Sequence, residues 1–308
     1  MAEVAGLSEI SLVQRQPRMR ATWWYQATHI AGEVVYYVVL VGLTLIFIAP
    51  MVWMISTSFK PEGYAFEFPP RLIAERVQWW NYTDAWKQFP FFRALGNTLT
   101  ITVGTLVGRL FSASLTAYVF ARLRFPGRNI LFVLVLSTMM IPYQVTLIPQ
   151  YIMFKQVGWL DSMKPLIWPH FFGGGAYFIF LLRQFFMTIP AEYDDAARID
   201  GCGTFGIFWR IILPMSGPAL GTVAIFTIMG CWNDFLGPLI YLNSQEKYTL
   251  AIAIRQWQHL ANLAAGFKPP MWVHIMAMST VLTIPPVIVY FFTQRYFVQG
   301  IVISGIKG

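Results

Sequence analysis

The side chains of this sequence that could do chemistry fall into two groups. The first lies between Glu192 and Pro214, where Glu192, Asp194, Asp195 and Asp200 are interspersed with Ala196, Ala197 and Gly201. Acids in the first turns of a helix complement its dipole, and alanines let another surface approach closely, so the chemistry here is recognition. The second group consists of polar residues set inside apolar runs: Arg109, Gln144, His170, and Asn233 and Asp234 beside Trp232. An ionisable group costs about 2.5 kcal/mol or more at mid-bilayer unless it faces protein or water, so each is a candidate for a polar pathway. Each also has a structural use, in interhelical hydrogen bonds or in an ion pair such as Arg109 with an acid of a neighbouring helix or subunit. No catalytic residue is expected, because no nucleophile or metal constellation is visible near a membrane interface. His29, His259 and His274 are too scattered for a metal site. Cys202 and Cys231 suit neither a disulfide framework nor ligand spacing and read as packing residues.

The elements that carry these residues are built for lipid. Of 308 residues, 56% are hydrophobic and 12% charged, where a soluble domain has about a quarter charged. Mean hydropathy is +0.55. The formal charge of +8 contains no long basic run of the kind that tracks a phosphate backbone, so lipid head groups rather than nucleic acid are the expected partners of the basic residues. Six apolar windows are long enough to cross the hydrocarbon core: Val34–Ile55, Leu95–Phe120, Ile130–Phe154, Leu166–Phe186, Ala219–Tyr241 and Ile275–Phe297. Runs of this length without two-residue alternation exclude a barrel, so the expected fold is all-α, a polytopic membrane protein with six transmembrane helices. The first window is too long, and lies too far behind a polar lead, for a cleaved signal peptide. The connection ARLRFPGRN (residues 121–129) has three arginines and no acid, which places it, and with it both termini, in the cytoplasm. The connection from Thr57 to Ala94 then faces outward, and its rings, Trp79, Trp80, Tyr82, Trp86, Phe89, Phe91 and Phe92, suit an interfacial belt or solute stacking.

Between the fourth and fifth windows the pattern predicts two short helices. Thr188 is positioned to cap the first, with Pro190 at an early position that needs no donor, and Gly201 ends it. Helical spacing puts Tyr193, Ala196, Ala197 and Asp200 on one side. Thr204 is placed to cap a second helix whose Phe205, Phe208, Ile211 and Ile212 form an apolar stripe, broken by Pro214 and Pro218. Physics alone admits two readings, a docking surface for an outside partner and an amphipathic hairpin that anchors the loop in the lipid surface.

The residue pattern adds a resemblance. Asp195-Ala196-Ala197, Gly201, Ile211 and Leu213-Pro214 match, interval for interval, the signature EAA, three residues, Gly, nine residues, Ile, any residue, Leu-Pro, of the integral membrane permeases of binding-protein-dependent ABC importers. Pro190, Glu192, Asp200 and Pro218, with ARLRFPG (121–127), MMIPYQVTLIPQY (139–151), WNDFLGPLIYL (232–242) and QRYFVQG (294–300), are similar to the carbohydrate-uptake, maltose-permease-like branch. Two positions depart from the family, Asp195 for its usual Glu and Cys202 for its usual Ala. The resemblance implies a type I importer permease fold in the cell inner or plasma membrane, in which Glu192, Asp195, Ala196, Ala197, Asp200, Gly201 and Pro214 form a coupling helix on a cytoplasmic ATPase. It implies a second homologous permease, two ATPase subunits and an extracytoplasmic binding protein as partners, with ATP and Mg²⁺ bound by the ATPase and no cofactor on this chain. The implied organisation is a cytoplasmic segment 1–33, a first span 34–55, an extracytoplasmic loop 56–94, a five-helix core 95–297 with coupling loop 187–218, and a cytoplasmic tail 298–308. In the maltose-type permease the fifth-to-sixth connection reaches into the binding protein, so Gln256, Trp257, Gln258 and His259 become candidates for that contact, against the alternative of a solvated spacer.

The implied activity is ATP-driven import of a sugar or related polyol, with the chain itself catalysing nothing. A phosphate loop of the G-x-x-x-x-G-K-[ST] type is missing, and Gly173-Gly174-Gly175 read as close helix approach or a kink. The alternative from another class, an ion-coupled secondary transporter, wants coupled carboxylates within the spans, where Asp234 is the only acid placed.

Overall fold

A backbone in hydrocarbon has no water to pair with, so the apolar runs fold as helices, and prolines and glycines decide where those helices break. The computed structural model describes residues 23–65, 67–72, 76–264 and 272–305. Outside them lie most of the N-terminal segment, Phe66 and residues 73–75 of the first connection, residues 265–271 of the fifth-to-sixth connection, and the last three residues of the tail.

The chain divides into residues 1–53 and 54–308. The first unit carries most of α1 (Trp23–Ser58), whose large side chains from Val34 to Ile48 stand exposed, as on a helix that faces lipid all round. In the second unit α2 (Trp80–Gln88) precedes the long α3 (Phe91–Arg122). Then come α4 (Arg128–Ser137), α5 (Tyr143–Gln156), α6 (Lys164–Ile167), α7 (Pro169–Gly173) and α8 (Ala176–Thr188). Two short helices, α9 (Glu192–Ile199) and α10 (Thr204–Ile207), lead through a π-helical turn (Phe208–Ile212) and α11 (Leu213–Met215) into α12 (Gly217–Asn233). The chain closes with α13 (Leu236–Tyr241), α14 (Leu250–Ala264) and α15 (Trp272–Gly305). No strand occurs among the described residues. Among the described residues four helices are long and apolar enough to cross a membrane, and the number is six if each of two bent helix pairs is one span.

Three of the expected spans are not straight rods. The third is cut at Ile141–Pro142, where the proline forces the preceding residue into extended conformation (φ −84°, ψ 113°), and the two halves meet at 97°. In the fourth, the cut falls at Gly174 and Gly175, with φ of +56° and +92°. The fifth ends at Asn233, eight residues before the expected Tyr241, because Asp234 is extended and α13 starts afresh. The sixth runs past the expected Phe297 to Gly305.

α3 organises the second unit. A side chain at Gly108 would meet the ring of Phe171 at 2.4 Å, and one at Gly104 would meet Ile167 at 2.8 Å. At Gly174 a Cβ would sit 2.7 Å from the backbone nitrogen of Ala113. The small residues thus let α6, α7 and the start of α8 lie against the backbone of α3, which is how helices gain contact where lipid supplies no hydrophobic drive. The hydroxyls of Thr105 and Ser112 on the same helix donate to the carbonyls of Leu166 (3.0 Å) and His170 (2.6 Å), supplying donors where the short helices leave their own ladder incomplete. Toward its end, α3 buries Ala113, Ala117, Tyr118 and Phe120 against Leu182, Phe186, Ile207, Phe208 and Ile212.

The connections are pinned as firmly as the spans. Asn81 is buried and donates to the carbonyls of Ser58 and Lys60. Of the aromatic connection, Trp79, Trp80 and Phe92 are exposed, as a belt requires, whereas Phe89 and Phe91 belong to a core with Leu250, Ala253 and Met278. Asp161 accepts from the backbone of Asn243 and Ser244, the Ser244 hydroxyl and the Lys247 ammonium (2.8 Å). Lys247 above all, then these other donors, hold its carboxyl well below the usual carboxylate range. The carboxylate therefore stays charged through the usual carboxylate range, and the clamp keeps its strength there and at neutral pH and loosens as pH falls below that range.

The packing around α3 predicts a contrast between two alanine substitutions. Gly174→Ala adds left-handed strain and a backbone clash, together costing roughly 2–5 kcal/mol. Gly96→Ala, with nothing within 4 Å of its added Cβ, is neutral or slightly stabilising. Thermal unfolding in detergent, followed by loss of the monodisperse peak, separates the two, and equal midpoints would contradict the packing.

Candidate functional site

The loop between α8 and α12 is held by α3. Glu192, Asp194 and Asp195 occupy the first turn of α9, where they complement the dipole. Thr188 does not cap this helix as expected: its hydroxyl donates backwards to the Phe185 carbonyl, and Ala191 holds the N-cap position without a side-chain bond. The other end is as expected. Gly201, at φ +82°, follows the last helical turn, with Gly201 N donating to Arg198 O and Cys202 N to Ala197 O. These paired bonds form the Schellman closure that a left-handed residue permits.

The expected face of Tyr193, Ala196, Ala197 and Asp200 is divided. Ala197 is 5% exposed and packs inward beside Asp194 and Cys202, while Tyr193, Ala196 and Asp200 are exposed together with Glu192 and Asp195. Ile199 is 87% exposed, an apolar side chain with no cover from this chain. On the second short helix Ile207, Phe208 and Ile212 are buried. Phe205 is 63% exposed and stacks on Trp209. Thr204 is the first helical residue rather than the cap, a place taken by Gly203, and its carbonyl accepts from the Tyr118 hydroxyl (3.0 Å). The π turn ahead of Pro214 follows from the proline, which has no N–H for the Arg210 carbonyl and would press its ring against it.

Two side chains outside the set expected to couple to a partner do the anchoring. Arg122, in the last turn of α3, faces Asp194 at 3.6 Å, with 8% and 7% of the side chains exposed, and donates to the Ile189 carbonyl at 2.7 Å. Asp195, by contrast, pairs with Arg198 in the open at 3.3 Å, where an ion pair contributes little. Spacing could have found Asp194, which sits three residues before Ala197 on one helical face, but naming Arg122 as its partner needs the fold.

The intramembrane polar residues separate into two sets. Arg109, His170, Asn233 and Asp234 line one cavity of about 490 Å³, joined by Tyr143 and Gln150. Gln144 is exposed and off the cavity wall, and Trp232 packs beside the core of Ala85 and Met278. These two, expected beside a pathway, do not line this cavity; Tyr143 and Gln150, on either side of Gln144 in α5, do. Arg109 donates to the Thr227 hydroxyl (3.3 Å) and to His170 Nδ1 (3.0 Å), and its guanidinium lies 4.7 Å from the centre of the Phe178 ring. Among the described residues it pairs with no acid of this chain. Asp234 accepts from the N–H of Gly237 (3.1 Å) and so starts α13, a structural duty beside its place in the cavity wall.

The fifth-to-sixth connection is not a loop over the residues of interest, since α14 contains Gln256, Trp257, Gln258 and His259. Gln256, Gln258 and His259 line a second cavity of about 350 Å³ with Arg255, Tyr248 and Phe235. Trp257 is half-buried and packs obliquely against Phe89 beside the core of Ala85 and Met278. Among the described residues no three His, Cys, Asp or Glu side chains gather to hold a metal ion, and Cys202 and Cys231 are free thiols.

Comparison with known proteins agrees over most of the length. Residues 92–303 match the family described as binding-protein-dependent transport system inner membrane component. The protein LplC of Bacillus subtilis (strain 168) is 32% identical over 279 residues, covering 87% of this chain and 92% of that one. The arabinooligosaccharides transport system permease protein AraQ of Halalkalibacterium halodurans is 32% identical, covering 86% and 93%. The sn-glycerol-3-phosphate transport system permease protein UgpE of Yersinia pestis is likewise 32% identical, covering 86% and 94%. A chain of a bacterial ABC transporter that imports the acidic polysaccharide alginate superposes with a TM-score of 0.77 at 24% identity, over 88% of this chain and 98% of that one. The intervals around Gly201, the six apolar helices and these matches converge: the chain belongs to the inner membrane components of binding-protein-dependent transport systems, and it is an all-α, multi-pass permease with the ABC importer fold.

Proposed function

We propose that this permease forms part of an ATP-driven importer and passes a sugar or related polyol, delivered by an extracytoplasmic binding protein, through the cavity around Arg109 and Asp234. The relatives named for arabinooligosaccharide and glycerol-phosphate transport support the solute class. In this reading a second permease completes the pathway, and two ATPase subunits carry ATP and Mg²⁺. Both termini lie in the cytoplasm, on the side of Arg122, Arg124 and Arg128. Gln256, Gln258 and His259 face the binding protein.

The observation that carries the reading is the exposed, doubly anchored α9. The Arg122–Asp194 pair fastens its start to α3 and the Schellman turn closes its end, while Ile199, Tyr193, Ala196 and Asp195 are turned outward. A short rigid helix with an uncovered apolar tip and an acidic flank suits a cleft in a soluble partner, and its displacement would be transmitted to a transmembrane helix as a rigid-body motion. Asp195 keeps the charge of the usual glutamate, with its reach one methylene shorter.

Reconstitution with the ATPase and the binding protein tests this. Uptake of a radiolabelled oligosaccharide that the binding protein retains should need ATP, and ATP-independent uptake would overturn the proposal. Ile199→Asp should abolish uptake and copurification of the ATPase while membrane levels stay normal. Asp195→Glu should be near neutral. Asp194→Asn and Arg122→Ala each leave a buried charge unpaired, so each should destabilise the protein by about 3–5 kcal/mol. The exchange Arg122→Asp with Asp194→Arg should restore part of the loss, and no recovery in thermal unfolding would show that the pair does not act as an anchor.

A further inference from the structure

Arg109 stands in the wall of the cavity of about 490 Å³, and among the described residues no acid of this chain forms an ion pair with it. Its guanidinium has donors only, so the nitrogen it meets on His170, Nδ1, must be the acceptor, and the imidazole proton sits on Nε2. Thr227 and His170 take one bond each from a group with five N–H donors, and Nε of Arg109 is buried with no partner. Neither a hydroxyl nor a neutral imidazole neutralises a positive charge. The arrangement is also rigid: the Phe178 ring supports the guanidinium at 4.7 Å, and Ser112 holds the His170 carbonyl at 2.6 Å. Phe171, the residue after His170, is seated on the bare backbone of Gly108. Elsewhere in the same wall, Asp234 accepts from the Gly237 N–H through Oδ1, while Asn233, Gln150 and Tyr143 bring amides and a hydroxyl of the kind that bind sugar hydroxyls.

We propose that Arg109, supported by His170, forms the anion-binding end of a solute site in this cavity, so that the polyol it takes carries a carboxylate or a phosphate. The proposal rests on reading the chain as a polyol permease and adds the charge of the solute. A guanidinium fork is matched to both oxyanions, and the remaining lining residues recognise hydroxyls that either kind of solute would carry. At about 490 Å³ the cavity lies within the size range of small-molecule sites.

The assembled importer in lipid nanodiscs, without its binding protein, is dialysed against three radiolabelled probes: digalacturonate, neutral galactobiose and glycerol 3-phosphate. One of the two anionic probes should be held about tenfold or more tightly than galactobiose, and which one identifies the oxyanion as carboxylate or phosphate. R109Q should erase that preference, and R109K should keep part of it through charge without the fork. Equal retention of charged and neutral probes, retention of none at millimolar concentration, or a preference that survives R109Q would each overturn the proposal. Should R109Q fail to assemble, the wild-type ratio decides alone. If ATP-dependent uptake persists while no charge preference is found, only this inference falls; if uptake itself fails, the permease reading falls with it.

Discussion

The structure depends on one constraint, that a backbone polar group in hydrocarbon must find a partner inside the protein. A straight apolar helix satisfies it unaided, but three spans of this chain are broken, at Ile141–Pro142, at Gly174–Gly175 and at Asp234. Near each of the last two a side chain supplies what the helix ladder lacks. Ser112 and Thr105 donate to the carbonyls of His170 and Leu166, and Asp234 accepts from Gly237. The bonds from Ser112 and Thr105 require α3 to lie against the broken fourth segment, and only glycine at 104, 108 and 174 leaves the room.

The same constraint explains why the cavity lies where it does. Broken helices expose carbonyls and leave space that intact helices would fill, and the polar residues of the chain gather there: Arg109 from α3, His170 from α7, and Asn233 and Asp234 from the end of α12. A packing duty and a place in the cavity wall are therefore not alternatives. Arg109 is hydrogen-bonded for structure and still faces the cavity, and Asp234 begins a helix while lining the same wall.

The loop between α8 and α12 follows a different logic, since it is stiffened by anchors rather than by lipid. The buried Arg122–Asp194 pair and the Tyr118–Thr204 bond join it to α3 at two points, and the apolar faces of Ile207, Phe208 and Ile212 fill the space between. What remains outside is a surface of acids, small residues and uncovered Ile199 and Phe205. That surface is fastened to α3, which also brings Arg109 to the cavity wall.

Read by itself, the sequence determined the class, the number of apolar segments, the end of α9 at Gly201 and the family, because length, hydropathy and the intervals of a motif are local properties. Tertiary structure decided the rest. Whether an apolar run is one helix or two depends on whether a neighbour can satisfy the break, so the bend at Ile141 and the restart at Leu236 were not legible. Burial is also collective: Ala197 and Trp257 turned inward, and Gln144 turned away from the cavity that its neighbours Tyr143 and Gln150 line. The Arg122–Asp194 pair joins residues far apart in the chain, and no spacing rule connects an arginine at the end of one helix to an aspartate in another until the fold has removed water from between them.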